Sequence, residues 1–431
     1  MKKKAAREPG NQVRNTGPNA LATMVQQLVL PLIVGIEATK KGLLGFVHQM
    51  GLLALQELLA FEATQIAGPK GKHADGRTHN HWGTAQTTLP FGGRNVVLRR
   101  PRVRGRKGEE PLPSFEALRE ADPLPQRVAE QIVLGISTRG YARSLEPVPD
   151  DVKTRGASKS AASRGLIDKT KEQVNAFLNR PLNGLSLVAM FIDGIEIAGK
   201  TAIVALGVSV QGTKVPLGIW LGSTESATVA TALLQNLIDR GLTIVERTLF
   251  VIDGGKGIRK AISDVFGSLA VVQRCQVHKG RNIRDHVPEA RRAYVAKQLR
   301  EAYLSKSAKT ARKLLQQLAS WLESNGDDSA AESLREGLEE SLTVLKLGLH
   351  SSLGRTFATT NSIENMNGTI RRVSRNVKRW QGESMIQRWV ALGLAEAERR
   401  FRRVKGYKSM STLVAALRPE QADLESAEKV A

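Results

Sequence analysis

Two aspartates stand in equivalent places in this sequence. Asp193 follows the apolar run Leu187 to Ile192 in Phe-Ile-Asp-Gly, and Asp253 follows Thr248 to Ile252 in Val-Ile-Asp-Gly-Gly. A short continuous apolar run predicts a strand buried on both faces, and open α/β sheets bind ligands at the carboxyl ends of their strands. Asp-Gly is also a common turn pair, the plainer reading of either aspartate alone. Two of them, ending the first and the fourth of five predicted strands, point to function. A third acid, Glu364, lies in Thr359-Thr360-Asn361-Ser362-Ile363-Glu364-Asn365-Met366-Asn367 and is the only acid between Arg355 and Arg379. Asn361 can cap a helix there with Glu364 three residues on, which by itself contributes ~1 kcal/mol of helix stability. Three carboxylates also suit hard divalent cations, and two-metal phosphoryl chemistry uses one carboxylate to bridge the ions and others to flank them.

Other polar groupings are weaker. Cys275 and His278 form a Cys-x₂-His pattern, half of a zinc site, but the chain has one cysteine. A closed zinc site would need distant histidines. The pair is expected to serve packing or hydrogen bonding beside the acids. His73, His79 and His81 read as a polar loop. Residues 253–257 lack the spacing of a phosphate-binding P-loop.

The elements that must hold these residues follow from periodicity. Residues 1–18 are basic and contain Gly and Pro, as a disordered tail does. Residues 20–66 have helical apolar spacing, and 84–104 read as a hairpin about Gly92-Gly93. The hairpin's second arm carries Arg99, Arg100, Arg102 and Arg104. Two helices within 128–178 offer a candidate helix-turn-helix; an ordinary solvated helical pair fits as well. Strands at 187–192, 201–208 and 215–221 are too closely joined for crossovers, so they predict an antiparallel meander. A helix capped near Ser223 or Thr224 and stopped by Gly241 leads to the strand at 248–252, and another leads to a fifth at 270–274. Residues 283–347 show only helical stripes, with Leu314, Leu315, Leu318 and Leu322 on one of them.

Asp193, Asp253, Cys275-x₂-His278, a helical stretch and then Thr-Thr-Asn-x-x-Glu-x-x-Asn come in an order that resembles bacterial insertion-sequence transposases of the Mutator superfamily. Asp239-Arg240-Gly241-Leu242 adds to the likeness, which spans about residues 80–405. His79-Asn80-His81-Trp82-Gly83 stands where that family carries an Arg-Asn-Gly-Tyr-like stretch. The resemblance implies a DDE transposase with Asp193, Asp253 and Glu364 as its catalytic, metal-binding triad. It implies an α/β chain with an RNase H-like mixed five-stranded sheet and flanking helices. The expected organisation is a tail 1–18, a mainly helical DNA-binding region 19–180, a first core part 185–282, an all-α insertion 283–352, a last core helix with basic residues 353–408, and a tail 409–431. The implied activity is cleavage at element ends and strand transfer into target DNA, with two Mg²⁺ (or Mn²⁺) ions. Asp193 would bridge them, and Asp253 and Glu364 would hold one each.

Charge agrees with a nucleic-acid partner. The 431 residues hold 64 Lys and Arg against 41 Asp and Glu, a net charge of +23, which repels itself until a polyanion neutralises it. The expected DNA contacts are the hairpin arginines and Arg371, Arg372, Arg375 and Arg379; helical spacing would gather Arg371, Arg375, Lys378 and Arg379 near one face. Double-stranded DNA, at element ends and target, is the expected partner, bound by a homo-oligomer. No apolar run is long enough for a membrane span, the start does not read as a signal peptide, and a cytoplasmic location is expected. The alternative is a transposase-derived DNA-binding protein without catalysis, which needs the basic surfaces but not three acids.

Overall fold

The computed structural model describes residues 42–72, 76–120, 124–145, 148 and 152–418. The expected basic tail, the start of the first helical stretch, His73 and residues 419–431 lie outside the described residues. Contacts divide the chain into two compact units: the part up to Val128 with Thr138–Leu166, and Ala129–Ser137 with Ile167 onward.

The first unit is built on α1 (Gly42–Ala67) and the hairpin β1 (His79–Phe91) and β2 (Arg94–Gly105), with the short strand β3 (Gly108–Glu110) and helix α2 (Pro113–Glu120). Gly92 and Gly93 both have positive φ and close a two-residue turn with Phe91 opposite Arg94. Two adjacent positive φ values define the hairpin turn that matches strand twist, and glycine adopts them without strain. Leu59 and Ala63 of α1 pack on Leu89, Leu98 and Val103 of the hairpin, together with Leu112 and Phe115. The strands are longer than the sequence suggests. They take in His79 and His81, which are therefore strand residues and not a loop; His81 Nε2 lies 2.8 Å from the Gly68 carbonyl.

Helices α3 (Leu124–Val133) and α4 (Lys159–Leu178) bound the candidate helix-turn-helix. Residues 134–158 separate them and include a 3₁₀ turn and β4 (Thr154–Arg155), which pairs with β2. That segment is no tight turn, so the helix-turn-helix reading is corrected.

The second unit contains the five-stranded sheet: β5 (Leu187–Ile197), β6 (Lys200–Ser209), β7 (Lys214–Gly222), β8 (Thr248–Ile252) and β9 (Ala270–Arg274). Its order is β7-β6-β5-β8-β9. The first three strands are antiparallel neighbours, and β8 and β9 add in parallel, so the sheet is mixed. Ala198 and Gly199 turn β5 into β6 with positive φ at both residues, an uncommon conformation for alanine. Helix α5 (Ala227–Asp239) carries the chain from β7 to β8. Its cap is Ser226, whose Oγ accepts from Val229 N–H, and not the expected Ser223 or Thr224. Helix α6 (Lys256–Phe266) links β8 to β9. Leu233 and Leu237 of α5 and Ile258 and Ile262 of α6 bury against Met190, Ile192, Ile203, Leu217, Phe250 and Ile252.

A run of helices follows β9 directly: α7 (Gln276–Asp285), α8 (Glu289–Tyr303), α9 (Ala308–Ser324), α10 (Asp328–Arg335), α11 (Leu338–Ser341) and α12 (Thr343–Lys346). They share a core of their own, with Val295, Leu299, Leu315, Leu318, Leu322, Leu334 and Leu342 buried. Then come α13 (Ser351–Phe357), α14 (Asn361–Ser374), α15 (Glu383–Arg400) and α16 (Met410–Leu417). Helix α14 packs on β5 and α15. Gly393 of α15 lets the Ile370 backbone come close enough that a Cβ there would sit 2.7 Å from its Cα. The expected C-terminal tail begins instead as α16, with Met410, Leu413 and Leu417 buried. Among the described residues no helix is long and apolar enough to cross a membrane.

Candidate active site

Strand β5 does not end at Asp193. It runs on to Ile197, with Asp193 opposite Val204 of β6. The parallel neighbour β8 is what stops. Ile192 is in register with Ile252, so the next residues, Asp193 and Asp253, stand side by side where β8 gives out. Asp193 is consequently only 9% exposed, not the edge carboxylate that the sequence suggests. Asp253 begins the turn into α6, and its Oδ1 accepts from Gly255 N–H at 2.9 Å.

Helix α14 brings the third acid. Glu364 and Asn367 lie one turn apart on this helix. Asn367 Nδ2 donates to Asp193 Oδ2 at 2.7 Å, and Asn367 is itself buried. Thr360, not Asn361, takes the N-cap position, and its hydroxyl makes no cap bond. That hydroxyl instead donates to Glu364 Oε1 at 2.6 Å and lies 3.2 Å from His278 Nδ1. Glu364 is therefore held by its own helix start through a side chain, and the capping-box reading is set aside.

Cys275 and His278 join the same network. Cys275 is buried at the start of α7, and its sulfur accepts from Thr360 N–H at 3.4 Å and lies 3.3 Å from the Thr360 hydroxyl oxygen. His278 Nε2 is 3.8 Å from Glu364 Oε1. The hydrogen bond to Cys275 and the charges of Cys275, Glu364 and Asp253 raise the His278 pKa, against the effect of burial. For Cys275 burial pushes upward, but hydrogen bonds from His278 and Thr360 leave the thiol below its ordinary pKa.

A fourth carboxylate completes the group. Glu225 lies in the loop between β7 and α5 and reaches Gly194 beside Asp193 and Gly255 in the Asp253 turn. A Cβ on Gly194 would sit 2.5 Å from its Oε2, and one on Gly255 would overlap its Oε1. Burial and the charges of Asp253 and Asp193 raise Glu225 to about 7. Burial and the charges of Asp253 and Glu364 raise Asp193 to about 6, with His278 opposing. Acids that raise one another in this way are short of positive charge. Among the described residues no three His, Cys, Asp or Glu side chains form a ready-made ligand shell.

With this arrangement in view, likeness to known proteins decides the family. The family model described as "Transposase, Mutator family" matches residues 27–404. The chain belongs to the Mutator family of transposases. It is 27% identical to the transposase for insertion sequence element IS905 of Lactococcus lactis, over 78% of this chain and 85% of that protein. It is likewise 27% identical to the transposase for insertion sequence element ISRM5 of Rhizobium meliloti, over 83% and 89%. The transposase for insertion sequence element IS256 in transposon Tn4001 of Staphylococcus aureus is 25% identical, over 64% and 71%.

The basic residues of this transposase sort differently from the acids. Arg100 and Arg102 share the one carboxylate of Glu109 of β3 at 2.8 and 2.6 Å, so one of the charges of the four hairpin arginines is already offset. Arg104 lies over the Trp82 ring at 4.7 Å, and Arg99 is exposed. Helix α14 ends at Ser374 with Arg375 as its C-cap in helical conformation, so Arg375 stays one turn beyond Arg371 while Arg379 lies past the helix end. These three are exposed, while Arg372 is half-buried and faces Glu396 at 3.9 Å.

Glu225 escaped sequence reasoning because it sits in a polar loop, Gly222-Ser223-Thr224-Glu225-Ser226, with no pattern around it. One signal was available. The third strand of a meander runs parallel to the first, so the loop after it returns to the sheet edge that carries Asp193.

Proposed function

We propose that this transposase is a metal-dependent DDE enzyme that cuts double-stranded DNA at the ends of its element and joins them to target DNA, with Asp193, Asp253 and Glu364 as the acids of its active site. The observation that carries the reading is the parallel register of Ile192 with Ile252, together with the Asn367–Asp193 hydrogen bond that ties the Glu364 helix to the same spot. We read the meander with two added parallel strands as an RNase H-like core, and the helices from 276 to 346 as its all-α insertion.

The donors suit a hard divalent cation in kind: they are carboxylate oxygens, and their mutual repulsion calls for positive charge. A closed protein shell is not required, because Mg²⁺ commonly takes one or two carboxylates and completes its octahedron with waters and substrate phosphate. Mg²⁺ or Mn²⁺, two per site, would supply activation of water or a 3′-OH and stabilisation of the leaving oxygen. Asp193, beside Asp253 and tied to the Glu364 helix through Asn367, would hold the ions together with Asp253 and Glu364. Asn367 fixes the Asp193 carboxylate, and Thr360 and His278 orient Glu364. A purely DNA-binding descendant has no use for acids raised by one another's charge.

The test uses DNA carrying the element's own ends. With Mg²⁺ the protein should release cut ends and strand-transfer products. Asp193→Asn, Asp253→Asn and Glu364→Gln should each abolish both while DNA binding stays, since each keeps shape and removes a charge. A variant that still cleaves at a near-normal rate removes that residue from the triad.

A further inference from the structure

The helices after β9 leave a cavity of about 870 Å³ against the start of α14. Its floor is apolar, with Leu299 and Leu345, and Leu304 stands at its mouth 62% exposed. Arg284, Arg300, Lys306 and Arg355 also line it, and no Asp or Glu does. Among the described residues none of these four cations pairs with a carboxylate; Arg284 donates only to the Gly280 carbonyl. Elsewhere in the same helices Arg291, Arg312 and Arg335 pair with Asp327, Glu339 and Glu323, while Arg292 donates to the Val287 carbonyl. The cavity wall includes Gln276, Thr359 and Asn361. Those residues flank Cys275 and Thr360, the pair that hydrogen-bonds beside Glu364. The cavity therefore opens next to the proposed acids.

We propose that this cavity receives one unpaired base of the DNA strand running to the acids, with the phosphates on either side held by the four cations. The reading rests on the proposed function for its DNA. Intact duplex would leave the apolar floor idle, because its bases stay stacked inside. A base out of the stack presents a flat apolar face, and its neighbouring phosphates present the charge. The volume falls in the range of sites that enclose a small molecule. Guanidinium groups suit phosphate oxygens in particular, since two N–H groups donate in one plane.

The test is binding of the full chain, without divalent cation, to two labelled duplexes that differ by one unpaired nucleotide in one strand. The protein should prefer the duplex with the unpaired nucleotide by about tenfold, the order of one stacked base. Leu304→Asp puts a charge at the mouth of the cavity on an already exposed position, so folding should survive. It should remove the preference and leave affinity for the fully paired duplex within about twofold. Arg300→Ala with Arg355→Ala should also lower the preference. Equal affinity of the wild-type protein for both duplexes overturns the proposal. So does a preference that survives Leu304→Asp, or arginine variants that weaken both duplexes equally. Cleavage is read separately. A preference in a protein that cuts nothing overturns the catalytic reading and upholds the cavity, whereas cleavage without preference does the reverse.

Discussion

Asn367 gives its amide hydrogen to Asp193 Oδ2, while its own buried oxygen meets no donor among the described residues. Such an amide is held by one strong contact, a hydrogen bond to a charged group, with a net contribution of about 1.5–3 kcal/mol. Asn367→Ala should therefore release the Asp193 carboxylate, lower cleavage and cost about 1–3 kcal/mol of stability, with DNA affinity unchanged. Denaturant unfolding and a cleavage assay check both parts. Glu225 gives a second residue-scale expectation. Asp193 and Glu225 titrate near 6 and 7 in the folded protein and near 3.8 and 4.5 as free acids. Between those limits the folded state binds more protons than the unfolded state, so stability falls as pH rises from about 4 to about 7. Glu225→Gln should flatten that fall in metal-free protein, and Mg²⁺ should flatten it in the wild type. Unfolding curves at pH 4.5 and 7 measure it. An equal slope in Glu225→Gln shows that Glu225 does not sit in the field of the aspartates.

At the scale of elements, β9 joins the sheet to the helices through a side chain. Gln273 is buried in the strand, its Nε2 donating to the Ser341 carbonyl at 3.0 Å and its Oε1 accepting from Val344 N–H at 2.8 Å. Backbone groups of α11 and α12 thus find partners on the strand next to the one that carries Asp253. Gln273→Leu would leave the Val344 N–H without its partner, while the Ser341 carbonyl keeps Gln276 Nε2 as a donor at 2.9 Å. The expected loss is about 1–3 kcal/mol, read by denaturant unfolding; a change below about 0.5 kcal/mol would show that the Val344 N–H finds another partner. The apolar runs that became β5 to β9, and the leucine stripe of α9, were legible because burial imposes a period on the residues that undergo it. The continuation of β5 past Asp193 was not, because Gly194 to Ile197 are paired by β6 and need no apolar run of their own.

Across the whole molecule some of the 64 Lys and Arg residues are held by acids that the net charge of +23 already counts. Arg100 and Arg102 answer Glu109, and Arg372 and Arg400 answer Glu396. The cations left exposed are those expected to release counterions on DNA. Arg371, Arg375 and Arg379, replaced together by Ala, should weaken binding to many sequences alike. They should also flatten the log affinity against log salt slope by up to about three contacts' worth, at ~0.9 per phosphate. Arg100→Ala with Arg102→Ala should change that slope less, because Glu109 already offsets one of their two charges. Salt titrations with matched and scrambled duplexes compare the two sets, and an equal loss in both would show that Glu109 releases its arginines to DNA.

Sequence alone determined the strands of the mixed sheet, the helical run after them, and the residue types fit for divalent-cation chemistry. Each of these is written in local period or in the chemistry of one side chain. Tertiary structure alone decided that Asp193 is buried beside Asp253, because that depends on which strand pairs with β5 and in what register. It decided that Thr360 serves Glu364 and Cys275 in place of a helix cap, that Glu225 reaches the aspartates, and that half the hairpin arginines are already paired. These are contacts between residues far apart in the chain, and no local pattern records which of several chemically equivalent partners a side chain will meet.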